Sequence, residues 1–356
     1  MRRLRRYIVL EILKGVALVL TVLVAMGAFI EFVGELDDVG VAGYGFAQAV
    51  SYVALRMPRL IFEVLPAAAL LGALLGLGNL AVHRELVVMR ASGVSQFGLL
   101  GAVSMAGIVL MVVMIMLGES LAPSLGEYAR EMRTDALHDD LDMADGQSAW
   151  LKDGNRIINL RRPASLLDFN GGVFLFELSD DLRLRQVARA DSADIDANNR
   201  WMLANYAATA FSPDGISVRR ERNAREDYNL SPDLLSLSVV RQDLLDTPSL
   251  RRYIDYLRAN DLNADAYLIA YWTRMANIVS VVLMTVLALP FVSGSLRSAG
   301  TGARMVVGLV IGLGYYVATQ VFANSGEVFE FDPRLVAWLP IAVLALVTAV
   351  GVVRAR

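Results

Sequence analysis

The 356-residue chain has no cysteine, two histidines (His83 and His138) and two lysines (Lys14 and Lys152). Without cysteine there is no disulfide scaffold, iron–sulfur cluster or Cys/His zinc site. The shortage of lysine excludes a nucleotide-binding loop, which needs Lys between Gly and Ser/Thr: Lys14 is followed by Gly15 and Lys152 by Asp153. His83-Arg84-Glu85 has no second histidine to make a zinc-protease helix, and Gly118-Glu119-Ser120-Leu121 runs into Ala122, not the glycine of a nucleophile elbow. No catalytic constellation is visible, so the chain reads as a non-enzyme. The net charge is −3 and the bases form no strip interleaved with aromatics, so nucleic acid is not an expected partner. Charge is also scarce, at 19% against about a quarter in soluble proteins. With 56% hydrophobic residues and a mean hydropathy of +0.49, the sequence belongs in a membrane.

The charge that is present is segregated. Of 36 acids and 33 bases, 26 and 19 lie between Glu119 and Arg274, so one polar block interrupts an apolar chain. A hydrocarbon core about 30 Å thick needs about 20 apolar residues as helix. Six charge-free runs approach or meet that length: 15–30, 64–82, 97–118, 275–296, 305–326 and 335–353. The first reaches a full span if Lys14 extends its stem outward. It is not a signal peptide, because the apolar run continues past Ala25-Met26-Gly27 and five more spans follow.

Six spans put both termini on one side. The N-terminus, the 83–96 and 297–304 loops and the C-terminus hold eleven bases, whereas the opposite short loops hold only Arg56, Arg59 and Arg334. The positive-inside rule therefore predicts cytoplasmic termini and an external, periplasmic block. Three divisions follow: residues 1–118 with spans one to three, 119–265 as the periplasmic domain with helical flanks, and 266–356 with spans four to six.

Within the block the period becomes strand-like. Residues 150–158 read as a hairpin turning at Asp153-Gly154. Val173–Leu178 and Val187–Ile195 read as strands, and 201–222 as a strand pair around Pro213-Asp214-Gly215. Short strands at this spacing predict an all-β sandwich or jelly-roll. Helices are expected at 122–137 and at 248–259, the latter behind a Thr247 cap, and a further start at Asn263 runs through Tyr271 and Trp272 into span four.

Several features have both a functional and a bland reading. The 83–96 loop contains a short helix stopped at Gly93, with four successive apolar residues, Leu86 to Met89. Such a helix either lies on the bilayer or docks in a partner's groove, with Glu85 or Arg90 at the rim. Gly72-x-x-x-Gly76 and Gly308-x-x-x-Gly312 suit close helix packing, within this chain in preference to a subunit interface. The methionines of span three are core or lipid filler. Glu31, Glu63, Arg56 and Arg59 lie near the outer ends of spans one and two, either as functional intramembrane charges or in the headgroup zone. Arg130 and Arg133 share one helix face and either meet an anionic group or are solvated.

Leu65-Pro66-Ala67-Ala68-Ala69 through Gly78, followed by Glu85-Leu86-Val87-Val88-Met89-Arg90-Ala91-Ser92-Gly93, resembles the second span and cytoplasmic loop of the LptF/LptG permeases. Gly118-Glu119 with Ala122-Pro123, then Trp150-x-Lys152-Asp153-Gly154 and Leu296-Arg297-Ser298, looks more like the LptG branch than the LptF branch. The resemblance runs end to end.

It implies an α-helical membrane protein of six spans with a periplasmic jelly-roll between the third and fourth. The implied function is the inner-membrane permease half of an ABC transporter that extracts lipopolysaccharide for outer-membrane biogenesis. An LptB-type ATPase dimer would bind the ATP and magnesium, leaving this chain without cofactor or metal. Arg84, Glu85, Leu86, Val87, Met89 and Arg90 would form the coupling helix seated in that ATPase. An LptF-type subunit would complete the lipid cavity, and LptC would lead from the jelly-roll to LptA. Spans one and five would be lateral gates, making Phe29, Glu31, Tyr315, Tyr316 and Phe322 cavity-wall candidates. Arg59, Arg130 and Arg133 fall where relatives place bases that meet lipid phosphates, and Phe174 and Phe176 would line the jelly-roll groove. One departure is the acidic outer end of span one, Glu31, Asp37 and Asp38, where some relatives carry lysine. These acids would repel phosphate unless bridged by divalent cations. A different reading also remains open: a scaffold subunit whose exterior domain binds protein and moves no lipid.

Overall fold

The computed structural model describes residues 2–41, 43–138, 148–161, 172–181, 183–195, 200–213, 215–227, 242, 245–293, 300–329 and 331–354. The Leu296-Arg297-Ser298 motif and Asp214 of the Pro-Asp-Gly turn lie outside them. Two compact units are present, one of residues 1–140 with 268–356, the other of residues 141–267.

The first unit is helical. It comprises α1 (Arg2–Glu35), α2 (Phe46–Val82), α3 (Glu85–Ala91), α4 (Gln96–Met116), a π-helical turn (Leu117–Leu121) leading into α5 (Ala122–His138), α7 (Asp265–Ser293, whose first turn belongs to the second unit), α8 (Thr301–Phe329) and α9 (Pro333–Arg354). Among the described residues six helical stretches are long and apolar enough to cross a membrane. Four of them extend ten or more residues beyond their charge-free cores. The stretch from Gln96 to Leu137 has 42 residues, about 63 Å at 1.5 Å per residue, so it projects well beyond a bilayer core. Its π turn ends two residues before Pro123, which has no N–H to give Glu119, and a widened turn accommodates that missing bond.

α2 is the centre of the bundle because its sequence is small where neighbours cross. A Cβ at Gly72 would overlap the Val16 backbone, and one at Gly76 would lie 2.5 Å from Glu11 O, so α1 crosses α2 backbone to backbone. On α8, a Cβ at Gly308 would come within 2.6 Å of Leu74, and one at Gly312 within 3.3 Å of Ala67. Both glycine pairs thus serve packing inside this chain. The most apolar stretches of α2 and α7 are 61% buried, but those of α1 and α8 only 17% and 11%. Spans one and five are therefore the two with least cover from their own chain.

Among the described residues the second unit holds one curled antiparallel sheet of seven strands: β1 (Ser148–Asp153), β2 (Arg156–Arg161), β3 (Val173–Leu178), β4 (Leu184–Ala190), β5 (Ser192–Ile195), β6 (Arg200–Ser212) and β7 (Gly215–Asp227). The insertion between the third and fourth spans is thus β-rich as the sequence implied. Its described strands run as a meander, β4 and β5 being two segments against the same long β6. The bend has a local cause. β4 breaks at Asp191, whose carboxylate accepts from Asn205 Nδ2 at 3.0 Å, and Asn205 sits at φ +52 in the middle of β6. That left-handed residue shifts the inward alternation from Trp201 and Leu203 to Tyr206 and Ala208. In the β1–β2 loop Gly154 supplies the positive φ, +59, with Asp153 closing the strand.

Helix α6 (Thr247–Ala259) docks on that hairpin. Tyr256 Oη accepts from Lys152 N and donates to Lys152 O, and Lys152 Nζ donates to Asn260 O at 2.7 Å. Burial pushes the Tyr256 hydroxyl above the usual phenol range, consistent with its use as a neutral clamp. The N-cap of α6 is Asp246, which accepts from Ser249 N, so the cap lies one residue earlier than Thr247. The start expected at Asn263 is seen, with its side chain accepting from Asp265 N.

Candidate functional site

The coupling candidate, α3, is held stiffly. Arg84 takes φ +61, so the chain turns sharply from α2 into α3 with one strained residue between them. At the other end Gly93 has φ +90, Gly93 N donates to Arg90 O and Val94 N to Met89 O, which together form a Schellman stop. Leu86 and Met89, three apart, are buried in the main core of the bundle. Val87 and Val88 are 47% and 62% exposed, and Arg84 and Arg90 are also exposed. Glu85 is half-buried and accepts from Tyr7 Oη of α1 at 2.9 Å. Leu86 and Met89 therefore seat the helix, and the apolar side chains it presents are Val87 and Val88. Sequence reasoning left Val88 out of the contact set because four apolar residues in a row carry no phase.

The acidic end of span one is organised by arginines from elsewhere in the chain. Arg133 of α5 donates through Nε to Glu35 at 3.0 Å and through Nη2 to Asp38. Tyr44, fully buried, donates to the same Glu35 oxygen at 3.0 Å, and burial pushes its hydroxyl well above the usual phenol range. Arg56 of α2 lies 3.4 Å from Glu31, and both Arg56 and Arg133 stack over the Tyr52 ring. Arg59 pairs with Glu63 at 3.0 Å. The carboxylates that would repel a phosphate thus face guanidinium groups of their own chain. Of the three expected phosphate-binding arginines, Arg59 and Arg133 are engaged, whereas Arg130 is exposed and makes no ion pair among the described residues. Glu35 and Tyr44 carried no signal in the sequence, since Arg133 reaches Glu35 across 98 positions.

The cavity-wall candidates divide by face. Phe29 is 67% exposed, and Tyr316 and Phe322 are also outward. Tyr315 turns inward, half-buried, with its hydroxyl 3.5 Å from Asn277 Oδ1 of α7. In the sheet, Phe174 and Phe176 are half-buried on the face opposite Val173 and Leu175. There Phe176 stacks on the exposed Trp150 at 6.1 Å, and Arg189 covers Phe174. Arg304, counted as a loop base from the sequence, lies inside α8 and is 2% exposed, donating to Gly78 O of α2 at 3.1 Å.

The chain matches the family described as lipopolysaccharide export system permease LptF/LptG over residues 6–354. The lipopolysaccharide export system permease protein LptG of Escherichia coli (strain K12) is 32% identical over 347 residues, covering 97% of this chain and 96% of that protein. The LptG protein of Haemophilus influenzae is 30% identical over 338 residues, covering 95% and 94%.

Proposed function

The chain belongs to the LptF/LptG family of lipopolysaccharide export permeases, and from that premise we propose that it is the inner-membrane subunit through which a partner ATPase extracts lipopolysaccharide and passes it to a periplasmic bridge. The single observation carrying the ATPase half of this reading is α3. A chain without a nucleotide-binding loop presents two outward valines on a short helix clamped from below by Leu86 and Met89. An LptB-type ATPase dimer, holding the ATP and magnesium, would receive Val87 and Val88 in a groove, with Arg84, Glu85 and Arg90 at its rim. Because α3 is joined rigidly to α2 and tied to α1 by the Tyr7–Glu85 bond, movement of the ATPase would move both spans.

The lipid half rests on the exposed faces of α1 and α8. With an LptF-type subunit opposite, Phe29, Tyr316 and Phe322 would wall a cavity for acyl chains. Arg130, exposed and without an ion pair among the described residues, would be the base to meet a lipid phosphate first. Arg133 could follow only by giving up Glu35 or Asp38, so phosphate capture and movement of α1 would be linked. LptC and LptA would take the lipid onward past Phe174 and Phe176. The arginine bias supports a cytoplasmic side for the termini and α3 and a periplasmic side for the sheet.

Coexpression with the ATPase tests the docking. Val88→Glu should weaken copurification about tenfold, from the loss of one buried valine and the burial of a charge, and leave the bundle folded because Val88 is outward. Tyr7→Phe separates the role of Glu85 in holding α1 from any role at the rim. Full ATPase recovery with Val88→Glu would rule out this face as the docking surface.

A further inference from the structure

At the arginine-rich end of the bundle a cavity of about 170 Å³ is lined by the first two turns of α1 and of α4. Its apolar walls include Ile8 and Ala102, each only 1% exposed, with Val94 and Gly98. Arg2 and Arg5 line the same space. They are three apart on one helix and therefore share a face. Both are exposed, and neither makes an ion pair or hydrogen bond to another described residue. A Cβ at Gly101 would lie 3.5 Å from Arg5 Nη2, which places that guanidinium against the backbone of α4. Gly98 lines the same space, and a Cβ there would meet Ser95 Oγ and Val94 Cγ1 at 3.5 Å, an ordinary contact, so a side chain can be built into the cleft from this position.

We propose that this cavity is a binding site for an anionic phospholipid, with the headgroup phosphate on Arg2 and Arg5 and part of one acyl chain between α1 and α4. The location fits that chemistry. Gly98 and Ala102 lie in the first two turns of the apolar span that begins at Phe97, the level at which hydrocarbon gives way to headgroups. An apolar cavity of about 150 Å³ accommodates benzene, so this volume admits several methylenes. Two unpaired guanidinium groups beside an apolar cleft select for a molecule with a negative head and a hydrocarbon tail. A free phosphate would use only the arginines, and a neutral detergent only the cleft. The site also adjoins the Schellman stop of α3 through Val94, so its occupancy would steady the helix that we assign to coupling.

The test is native mass spectrometry of the full-length chain in mild detergent, titrated with phosphatidylglycerol or with phosphatidylcholine of the same acyl chains. The expected result is one retained phosphatidylglycerol, with a preference of about tenfold or more over phosphatidylcholine from two cationic contacts. Gly98→Leu, which fills the cleft and keeps both arginines, should abolish retention, as should Arg2→Gln with Arg5→Gln. Ala102→Leu fills the same space from the next turn and serves if Gly98→Leu does not fold. Undiminished retention in a folded cleft-filled variant would overturn the proposal in favour of surface charge alone. Equal retention of the two lipids would overturn it in favour of an unspecific apolar cleft, and displacement of the lipid by the ATPase partner would assign the cleft to protein.

Discussion

Gly72→Leu is expected to remove nearly all folded protein from the membrane fraction. A Cβ at Gly72 would overlap Val16 N and Cα, and Gly15 on the facing helix has the mirror problem with Gly72 O. These are backbone atoms, so no rotamer change relieves the overlap and the helices must part along their whole crossing. In a bilayer, where lipid is as apolar as the helix surface, close packing is a principal source of helix association. Overpacking costs about 1–3 kcal/mol in ordinary cores and more where backbone must move, and the loss of the surrounding contacts adds to it. Gly314→Leu is the control. Among the described residues nothing lies within 4 Å of a Cβ there, so its thermal unfolding in detergent should be within about 0.5 kcal/mol of the parent. Equal loss in both variants would show that glycine itself, not the α1–α2 crossing, is what matters.

The second large effect is expected at Arg304. A buried arginine in a membrane bundle is costly to retain and is a functional candidate by default. Gly78 makes room for it, since a Cβ there would come within 2.8 Å of Nη1, and its bond to Gly78 O ties the first turn of α8 to the last turns of α2, just before α3. Arg304→Met should cost about 2 kcal/mol, the range for a hydrogen bond to a charged group. Under the proposed function it should also uncouple: ATP hydrolysis by the assembled complex persists while lipopolysaccharide release falls. Arg304→Lys, which keeps the charge, should recover part of the coupling. If release and hydrolysis fall in step with the amount of folded protein, Arg304 is only structural.

The sequence made the spans legible because charge is rare in them, but not the helix ends. α1 runs from Arg2 to Glu35 through Glu11, Lys14 and Glu31, since a helix need not stop where its apolar stretch does. Arg304 was misplaced for the same reason. The glycine pairs at 72/76 and 308/312 announced close packing, yet Gly15, which α1 brings against Gly72, had no spacing to mark it. The strands were legible from alternation and turn residues, and Val173–Leu178 matches its expected limits. The bend at Asp191 and Asn205 was not, because a left-handed asparagine within a strand has no distinctive local signature. The site was least legible where it is nonlocal. The acids at the end of α1 looked repulsive to phosphate when read alone, and their meaning changes once Arg56 and Arg133 arrive from α2 and α5.

Under the proposed function, lipopolysaccharide would move along the uncovered faces of α1 and α8 and over the sheet. Photocrosslinking in intact cells tests it most directly, with a benzoylphenylalanine probe in place of Phe29, Tyr316 or Phe174 and at buried Leu70 as the control. Lipopolysaccharide adducts are expected at the first three positions and not at Leu70, with the Phe174 adduct dependent on a working ATPase. Adducts to protein alone at Phe29, Tyr316 and Phe174 would contradict the account.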